Sequence, residues 1–238
     1  MLHSEVIINI DDVLQSSVKI LDIDEAMAYY DVRSEYSKQL GQALANEEDR
    51  NLMQLMCLAG RANAAQADIK GGSQLTGADA DTNGQTLADM IFNARQIFRE
   101  KEVPYVKGEW AFFTTPAMYS LLAMTKDIIN KDWGGAGVYA EGTVLRIAGF
   151  DIIETNHIPT ENIAQKTGQN NTYHGDFTKT LGVCVSKGAV GTVRLKDLQV
   201  EMTTGDYKVE NQATLIVAKY LQGHGILEPR RAVEILKQ

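Results

Sequence analysis

Hydrophobic and polar positions at the start of the chain follow the pattern of extended segments. Residues 6–10 are rich in β-branched side chains, Asp11-Asp12 is a turn signal, and residues 18–21 form a second apolar run. Short apolar runs bounded by turn residues are typical of β-strands. The pattern therefore predicts two short strands before residue 22.

A long helical pattern follows, from about residue 23 to about residue 67. Its apolar positions recur at intervals close to 3.6 residues, and either Asp22 or Asp24 can cap its start. One continuous helix of this length would measure about 66 Å, whereas a compact globule of this chain length is about 45 Å across. We therefore expect either a break at the polar run 46–51 or an elongated subunit that rests on neighbours. The apolar positions are Ile23, Met27, Tyr30, Leu40, Leu44, Leu52, Leu55, Ala59 and Ala62.

The central region begins with a glycine-rich segment, residues 69–85, which its composition predicts to be a linker. Thr86 with Asp89 three positions later forms a capping box, which predicts a helix start. The following apolar residues lie on one face of a helix that ends before Pro104. They are Leu87, Met90, Ile91, Ala94, Ile97 and Phe98.

Strands and loops then alternate up to residue 178, with one further helix. Thr115 followed by Pro116 is typical of a helix start, and we expect this helix to continue to about residue 130. The other predicted elements are a strand at 110–114, a glycine loop at 134–137, strands at 143–147 and 150–155 joined by Ala148-Gly149, and a polar loop at 161–178.

The chain after Leu181 has a mostly β-type pattern. Val193 and Leu195 share one phase of an alternation, whereas the apolar residues from Leu198 to Met202 share the other. This change of phase at Lys196-Asp197 predicts a bulge or tight turn, because one extra residue moves the following side chains to the other face. Further along we expect extended chain at 212–222, a turn at 223–225 and a last strand at 232–236.

Composition narrows the possible classes of protein. The 238 residues carry a net charge of −8, with 44% hydrophobic and 23% charged residues, which excludes wholesale disorder. No apolar run approaches the roughly 18 residues of a membrane span, and we expect no signal peptide. The acidic excess argues against a surface whose main task is to grip nucleic acid or anionic lipid.

Residues with catalytic or metal-binding potential are sparse. Cys57 and Cys184 lie far apart in apolar surroundings, which predicts buried, reduced thiols and neither a disulfide nor a thiolate metal site. The four histidines lack the spacing of metal ligands, so we interpret them as surface or structural residues. No group of residues supplies a nucleophile, a base and a stabilising group together, so we predict no catalytic residues, no cofactor and no enzyme activity.

Residues 79–84 match the opening of a calcium-binding EF-hand loop. Asp79, Asp81 and Asn83 offer oxygen ligands at the first, third and fifth positions, and Gly84 occupies the sixth. The last position of the loop, which must supply a bidentate carboxylate, is Met90, and the preceding segment is glycine-rich and not helical. We therefore predict a solvated loop before a capped helix, and no metal site.

Several segments resemble the major capsid proteins of short-tailed, T7-like phages. The sequence YDVRSEY at residues 30–36, followed by QLG at 39–41, is similar to their long-helix region. The other similar segments are AVGTVRLKDL at 189–198, AKY at 218–220 with GHG at 223–225 and Pro229, and, more loosely, the stretch from AGFDII at 148–153 to Pro159.

This resemblance implies an HK97-type capsid fold of the α+β class, with a long spine helix, a peripheral β-sheet and an α/β axial domain. We accordingly expect a remnant of an extended loop at 1–21, a peripheral domain with the spine helix at 22–68, an axial domain at 69–185, and a return to the peripheral sheet at 186–238. Residue 1 aligns within the extended loop of the family. We therefore expect a natural chain longer by roughly 100 residues, the length of a small domain.

The resemblance also implies a function. Such a protein is a structural subunit that assembles with itself, as pentamers and hexamers, into an icosahedral phage head around double-stranded DNA. It would be made in the host bacterial cytoplasm, work with a scaffolding protein and a portal, enclose DNA without binding it specifically, contact no membrane and end in the virion. Two alternatives stay open. One is an encapsulin-type compartment shell, which would lack the sequences at 30–36 and 190–198, and the other is a calcium-binding or small-molecule-binding α/β domain.

Overall fold

A computed structural model describes residues 5–29, 31–64, 70–125 and 146–238. Within these ranges the chain forms a three-stranded sheet, a six-stranded sheet, a two-stranded ribbon and five α-helices. The predictions for Tyr30, for the ends of the helices expected to reach about residues 67 and 130, for the glycine loop at 134–137 and for residues 143–145 concern residues outside this description. In chain order the elements are β1 (Leu14–Leu21), α1 (Asp22–Met27), α2 (Val32–Arg61), β2 (Ser73–Gly77), α3 (Gly84–Glu100), β3 (Trp110–Thr114), α4 (Pro116–Ala123), β4 (Arg146–Ile147), β5 (Phe150–Glu154), β6 (Asn162–Ile163), β7 (Gly175–Asp176), β8 (Thr180–Ser186), β9 (Val190–Met202), α5 (Asp206–Asn211), β10 (Ala213–Ile226), a 3₁₀ helix (Pro229–Arg231) and β11 (Ala232–Lys237).

The three-stranded sheet is antiparallel, with the strand order β1-β10-β9. Alternate residues of β10, namely Ile216, Ala218 and Tyr220, are buried in one cluster with Leu40 and Leu44 of α2. This period of two is what a strand with one covered face requires. The strand predicted at 18–21 is confirmed, although β1 begins earlier, at Leu14.

The six-stranded sheet has the mixed order β2-β11-β8-β3-β5-β4. On one face, α3 and α4 enclose a core that contains the fully buried Phe98, Trp110 and Phe150. On the other face, the C-terminal part of α2 buries Cys57 and Ala59 against the sheet. The chain therefore covers both faces of this sheet with its own helices.

The long helical pattern forms two helices: α1 ends at Met27 and α2 begins at Val32, so the break does not fall at 46–51. The second helix, α2, is continuous through the polar run, so it is about 45 Å long at roughly 1.5 Å per residue. Leu55 and Ala59 are buried on it, as its apolar stripe predicts. Because α2 packs on both sheets, it joins the two halves of the molecule.

The N-terminal cap of this helix is not the predicted one. The carboxylate of Asp31 accepts hydrogen bonds from the backbone N–H groups of Arg33 and Ser34 and so caps α2. The prediction of Asp22 or Asp24 as the cap is wrong, because the chain leaves the helical conformation between α1 and α2, and α1 itself begins without a side-chain cap.

The glycine-rich segment at 69–85 contains a strand, so the prediction of a plain linker is wrong. β2 pairs in parallel with β11. A Cβ atom on Gly72 would overlap the carbonyl oxygens of Ala59 and Gly60 at the end of α2. The glycine therefore allows two backbones to approach closely, which a sequence pattern alone does not distinguish from flexibility.

Helix α3 begins earlier than predicted. The side chain of Asn83 accepts a hydrogen bond from the N–H of Gln85 and caps the helix, so Thr86 and Asp89 do not form a capping box. The predicted apolar face is confirmed, with Leu87, Met90, Ile91, Ala94 and Phe98 buried.

The strand predicted at residues 6–10 and the turn predicted at residues 223–225 are both absent from the structure. Residues 5–13 form no strand, because side-chain amides bind their backbone: Asn171 accepts from the N–H of Asn9 at 3.1 Å and donates to its carbonyl oxygen at 2.7 Å. Residues 223–225 continue β10 and do not turn. Their glycines leave room for the segment, since a Cβ atom on Gly223 would overlap the carbonyl oxygen of Asn9.

Other predicted elements are confirmed with small shifts. β3, β5, β8 and β11 are present, and Ala148-Gly149 turns between β4 and β5 with positive φ angles of 51° and 91°. The pairing of β9 with β10 skips residues between Arg194 and Gln199, which is the predicted bulge. α4 starts at Pro116 as predicted but ends at Ala123, and the loop at 161–178 includes the short ribbon of β6 and β7.

Two features of the described residues bear on chemistry and location. Cys57 and Cys184 are buried and free, as predicted, and burial raises the pKa of both thiols well above the ordinary value. Among the helices of the described ranges, none combines the length and the hydrophobicity needed to cross a bilayer.

The last strand does not lie where the prediction for residues 186–238 placed it. β11 pairs with β8 on one side and β2 on the other, inside the six-stranded sheet. β9 and β10, in contrast, belong to the three-stranded sheet. Residues 232–237 thus belong to the six-stranded sheet, where the buried Val233 and Ile235 contribute to the core under α3.

Candidate interaction surface

The helix α2 covers only part of the three-stranded sheet. The buried cluster beneath it contains Ile20 of β1 and Ile216 and Ala218 of β10, but no residue of β9. The register places Met202 opposite Ile216 and Val200 opposite Ala218. Residues directly opposite each other in a sheet share one face, so these β9 side chains point to the covered side without being covered.

The exposed side chains of β9 form an apolar face of Leu198, Val200 and Met202. Their exposed fractions are 54%, 54% and 57%. Single exposed apolar residues are ordinary, whereas a contiguous row of them marks an interaction site. We refer to these three residues as the β9 face.

A groove separates the β9 face from α2. Gly41, Leu44 and Ala45 of the helix line it on one side, and Leu198 and Tyr220 lie on the other. A Cβ atom on Gly41 would meet no neighbouring atom, which shows that the groove is open there. Burial raises the pKa of Tyr220 to about 12, so this residue stays a neutral phenol that presents its ring to the groove.

A second group of exposed apolar residues lies at the end of the same sheet, where Leu21 pairs with Ala213. Met27 on α1 is 73% exposed and Val209 on α5 is 78% exposed. α1 has no buried residue at all. Its first N–H, that of Asp22, donates to the carbonyl oxygen of Gln212, which fixes the start of α1 beside α5.

The outer edge of β9 is also unpaired within the described part of the chain, where β9 pairs with β10 alone. Such an edge offers free N–H and C=O groups to another strand. The bulge between Arg194 and Gln199 interrupts it, and Arg194 donates across the bulge to Asp197 at 3.2 Å. A bulge of this kind restricts which strands can pair with the edge.

At its other end, α2 is fixed to the six-stranded sheet by an ion pair with a buried carboxylate. Arg61 donates twice to the carboxylate of Glu234, at 2.7 and 2.6 Å, and Glu234 is fully buried. Gln74 and Thr180 donate to the same carboxylate, at 2.9 and 2.7 Å. The hydrogen bond to Glu234 raises the pKa of Arg61. The guanidinium also lies 4.8 Å from the ring centre of Phe177.

The residues that match the opening of a calcium-binding loop lie in a turn and at the start of α3. Asn83, at the fifth position of the calcium-loop match, caps α3. Asp79, at the first position, lies in a turn with a φ angle of 57°. Across the described ranges, no three His, Cys, Asp or Glu side chains lie where they could hold a metal ion. His224 is buried and hydrogen-bonds to Thr192 at 2.8 Å, a structural role.

Sequence reasoning missed both the exposure of the β9 face and the pair of Arg61 and Glu234. The alternation of Leu198, Val200 and Met202 indicates that the three side chains lie on one face of a strand. It does not reveal whether another element covers that face. Nothing in the sequence signals the second, since the two residues are 173 positions apart.

Comparison with known proteins gives consistent matches over the whole chain. The profile of the Gp10A-like major capsid protein family matches residues 1–236. The chain is 30% identical to the major capsid protein of Enterobacteria phage T3, over 98% of this chain and 73% of that one. It is 28% identical to the minor capsid protein of Escherichia phage T7, over 99% of this chain, and spans 64% of that protein's length. A solved capsid structure of the Cyanophage P-SCSP1u has a TM-score of 0.91 and 37% identity, and the match covers 100% of this chain and 77% of that chain.

Proposed function

The chain belongs to the Gp10A-like family of major capsid proteins, and on that premise we propose that its copies assemble into an icosahedral phage head around double-stranded DNA. The resemblance to T7-like capsid proteins is confirmed, and the α+β fold is of the HK97 type. As a major capsid protein of a phage, it is a component of the virion. One structural observation carries the assembly proposal: α2 leaves the β9 face uncovered.

We divide the subunit into a peripheral and an axial region. The peripheral region comprises the three-stranded sheet with α1 and most of α2, and the axial region comprises the six-stranded sheet with α3 and α4. Residues 232–237 are added to the axial region because β11 pairs there. Pentamers and hexamers are the proposed units of the shell, in which neighbouring copies would cover the β9 face and the exposed residues of α1 and α5.

The proposed relation to DNA is enclosure without specific binding. The net charge of −8 supports this, since an acidic wall repels a packaged polyanion. The proposed partners during assembly are a scaffolding protein and a portal, and this part of the proposal rests on the family alone. We propose no catalytic step for the chain.

The two alternatives to a phage head have less support. An encapsulin-type compartment is not favoured, because the matching profile and the named relatives are phage capsid proteins. A calcium-binding domain would need the loop at 79–84 to bind the ion, and calorimetric titration with calcium tests that possibility directly. We expect no site-specific heat, whereas micromolar binding would contradict our interpretation of the loop.

Electron microscopy of the purified full-length protein tests the assembly proposal. We expect closed shells of uniform size, and particles from infected cells should contain nuclease-protected DNA. Shells that hold protein cargo and no DNA would favour a compartment. A full-length protein that stays monomeric under every assembly condition, with its scaffolding protein present, would contradict the proposal.

A further inference from the structure

Two arginines on the outer surface of α3 have no partner within the subunit. Arg95 and Arg99 lie one turn apart, and Arg99 is exposed. Among the described residues neither side chain makes a hydrogen bond or an ion pair, whereas every other arginine of the chain pairs with an Asp or Glu. Since a guanidinium has five N–H donors, this pair has unused capacity for an anionic partner.

An exposed aromatic ring lies beside the two arginines. Phe92 is 54% exposed, and at about 100° per residue the three side chains fall within about 60° of one another around the helix. Aromatic residues and arginine are both enriched at protein–protein interfaces relative to the rest of a protein surface. We refer to Phe92, Arg95 and Arg99 as the basic flank of α3.

The basic flank faces away from β2, an edge strand of the six-stranded sheet. Met90 marks the side of α3 that faces β2, because a Cβ atom on Gly77 would overlap its sulfur. Arg95 and Arg99 lie about 140° and 180° around the helix from Met90. They are on the side of Gly84, where a Cβ atom would overlap a backbone carbonyl oxygen of α4.

The β2 edge of the axial region is acidic. Asp79 and Asp81 lie in the turn that follows β2, Asp89 lies on the second turn of α3, and all three are exposed. Among the described residues none of these carboxylates forms an ion pair, and Asp89 accepts only a hydrogen bond from Gln85, at 3.2 Å. We refer to the three aspartates as the acidic patch. The axial region thus carries unpaired cations on one side and unpaired anions at its β2 edge.

We propose that the basic flank of one copy binds the acidic patch of the next copy within a pentamer or hexamer, and this inference rests on the proposed assembly into shells. The two surfaces lie on different sides of the same subunit, so the contact between copies is head-to-tail. A contact of this kind repeats from copy to copy and closes into a ring when the rotation fits. The opposite charges determine which sides of two copies meet.

Packaged DNA fits the basic flank less well than a second copy does. A DNA-binding surface follows the phosphates with a row of cations, whereas the flank offers two cations beside an exposed apolar ring. A second copy presents a compact group of carboxylates to the arginines and protein surface to the ring.

Reversal of the charges tests this inference in DNA-free assembly of the full-length protein. Arg95→Glu with Arg99→Glu should raise the protein concentration for half-maximal shell formation at least about tenfold, because like charges then face each other. Adding Asp81→Lys and Asp89→Lys to the same chain restores opposite charges, and should return this concentration to within about threefold of the parent value.

A matched control separates the contact from the change in net charge. Lys19→Glu with Lys38→Glu alters the net charge by the same amount at exposed positions of the peripheral region, and should leave shell formation unchanged. Urea denaturation of each isolated subunit shows that the variants fold.

Cross-linking within assembled shells tests the head-to-tail arrangement. Thr82 lies beside the acidic patch and Gln96 beside the basic flank, both are exposed, and the native cysteines are buried. With a short bifunctional maleimide, the variant with Thr82→Cys and Gln96→Cys should give a ladder of bands that ends at pentamer and hexamer. Its two cysteines within one copy are at least about 18 Å apart along α3, at roughly 1.5 Å per residue, so the links should join different copies. Gln96→Cys alone should give no dimer.

The possible outcomes separate this inference from the assembly proposal. Shells that form equally well from the parent and from the variant with Arg95→Glu and Arg99→Glu would overturn the inference and leave the assembly proposal standing. The same conclusion would follow if Asp81→Lys with Asp89→Lys did not restore assembly, if the control variant lost as much, if the effect appeared only with packaged DNA, or if Gln96→Cys alone gave dimers. If the full-length parent forms no shells with its scaffolding protein present, both proposals fail.

Discussion

The six-stranded and three-stranded regions use similar apolar side chains but cover them to different degrees. In the first, Phe98 and Trp110 are fully buried with ring centres 5.0 Å apart, edge to face, between α3 and the sheet. In the second, Val200 and Met202 are more than half exposed, although they share a sheet face with the buried Ile216. One region is covered by the chain itself, whereas the other leaves an apolar face exposed.

This difference predicts two separable kinds of mutational effect. A substitution in the six-stranded region changes the free energy of unfolding of a single subunit, because both faces of that sheet are packed within the chain. A substitution on the β9 face leaves the isolated subunit nearly unchanged and acts on assembly.

The largest expected effect is that of Phe98→Ala in the core of the six-stranded region. Removing this buried ring should lower the free energy of unfolding of the isolated subunit by about 3–5 kcal/mol. Urea denaturation followed by tryptophan fluorescence measures it. Phe92→Ala, on the exposed side of the same helix, is the control and should change stability by less than about 1 kcal/mol. Equal effects would show that α3 is not packed as described.

A somewhat smaller loss is expected for Glu234→Gln, at the joint between α2 and the six-stranded sheet. The change removes the charge that Arg61, Gln74 and Thr180 all bind. We expect a loss of about 2–3 kcal/mol, as for hydrogen bonds to a charged group. Glu154→Gln, on an exposed position of β5, provides the control. A loss below about 0.5 kcal/mol at Glu234 would mean that the joint does not depend on this charge.

The third prediction concerns the pH dependence of stability at His224. Burial lowers the pKa of His224 below its ordinary value of 6.5, and Arg194 lowers it further by a smaller amount. The negative charges of Glu48 and Asp11 raise the pKa but do not cancel the effect of burial. The unfolded chain therefore binds a proton that the folded chain excludes, so stability should fall as pH decreases below about 6.5. His224→Gln should flatten this decline, which urea midpoints between pH 7.5 and 5 can show. Parallel curves for parent and variant would contradict the assignment.

The smallest effect on the isolated subunit is expected for Val200→Lys on the β9 face. Lysine is well tolerated on an exposed edge strand, so the free energy of unfolding should change by less than about 0.5 kcal/mol. The yield of closed shells should nevertheless fall sharply, because a charge replaces an apolar contact. Gln199→Lys adds the same charge on the opposite face of β9 and should assemble normally. If both variants assemble alike, the β9 face is not an interface.

The sequence predicted best those elements whose pattern is local. The apolar stripe of α3 and the strand Trp110–Thr114 depend on spacing within one segment, and both are confirmed. The turn expected at residues 223–225 was wrong for a long-range reason, since Gly223 makes room for Asn9. The linker that proved to contain β2 was missed because its partner strand comes much later in the chain. The polar groups around Glu234 likewise come together only in the folded chain.

The position of β11 between β2 and β8 determines when the newly made chain can complete its six-stranded sheet. Gln74 on β2 and Glu234 on β11 are in contact, yet 160 residues separate them in the sequence. At a bacterial synthesis rate of roughly 5–20 residues per second, the ribosome needs about 8–30 s to make the intervening chain. Until then β2 lacks its strand partner, and the carboxylate that binds Arg61 does not yet exist. A growing chain therefore cannot complete its six-stranded sheet, or fix the C-terminal end of α2 to it, until β11 has been synthesised.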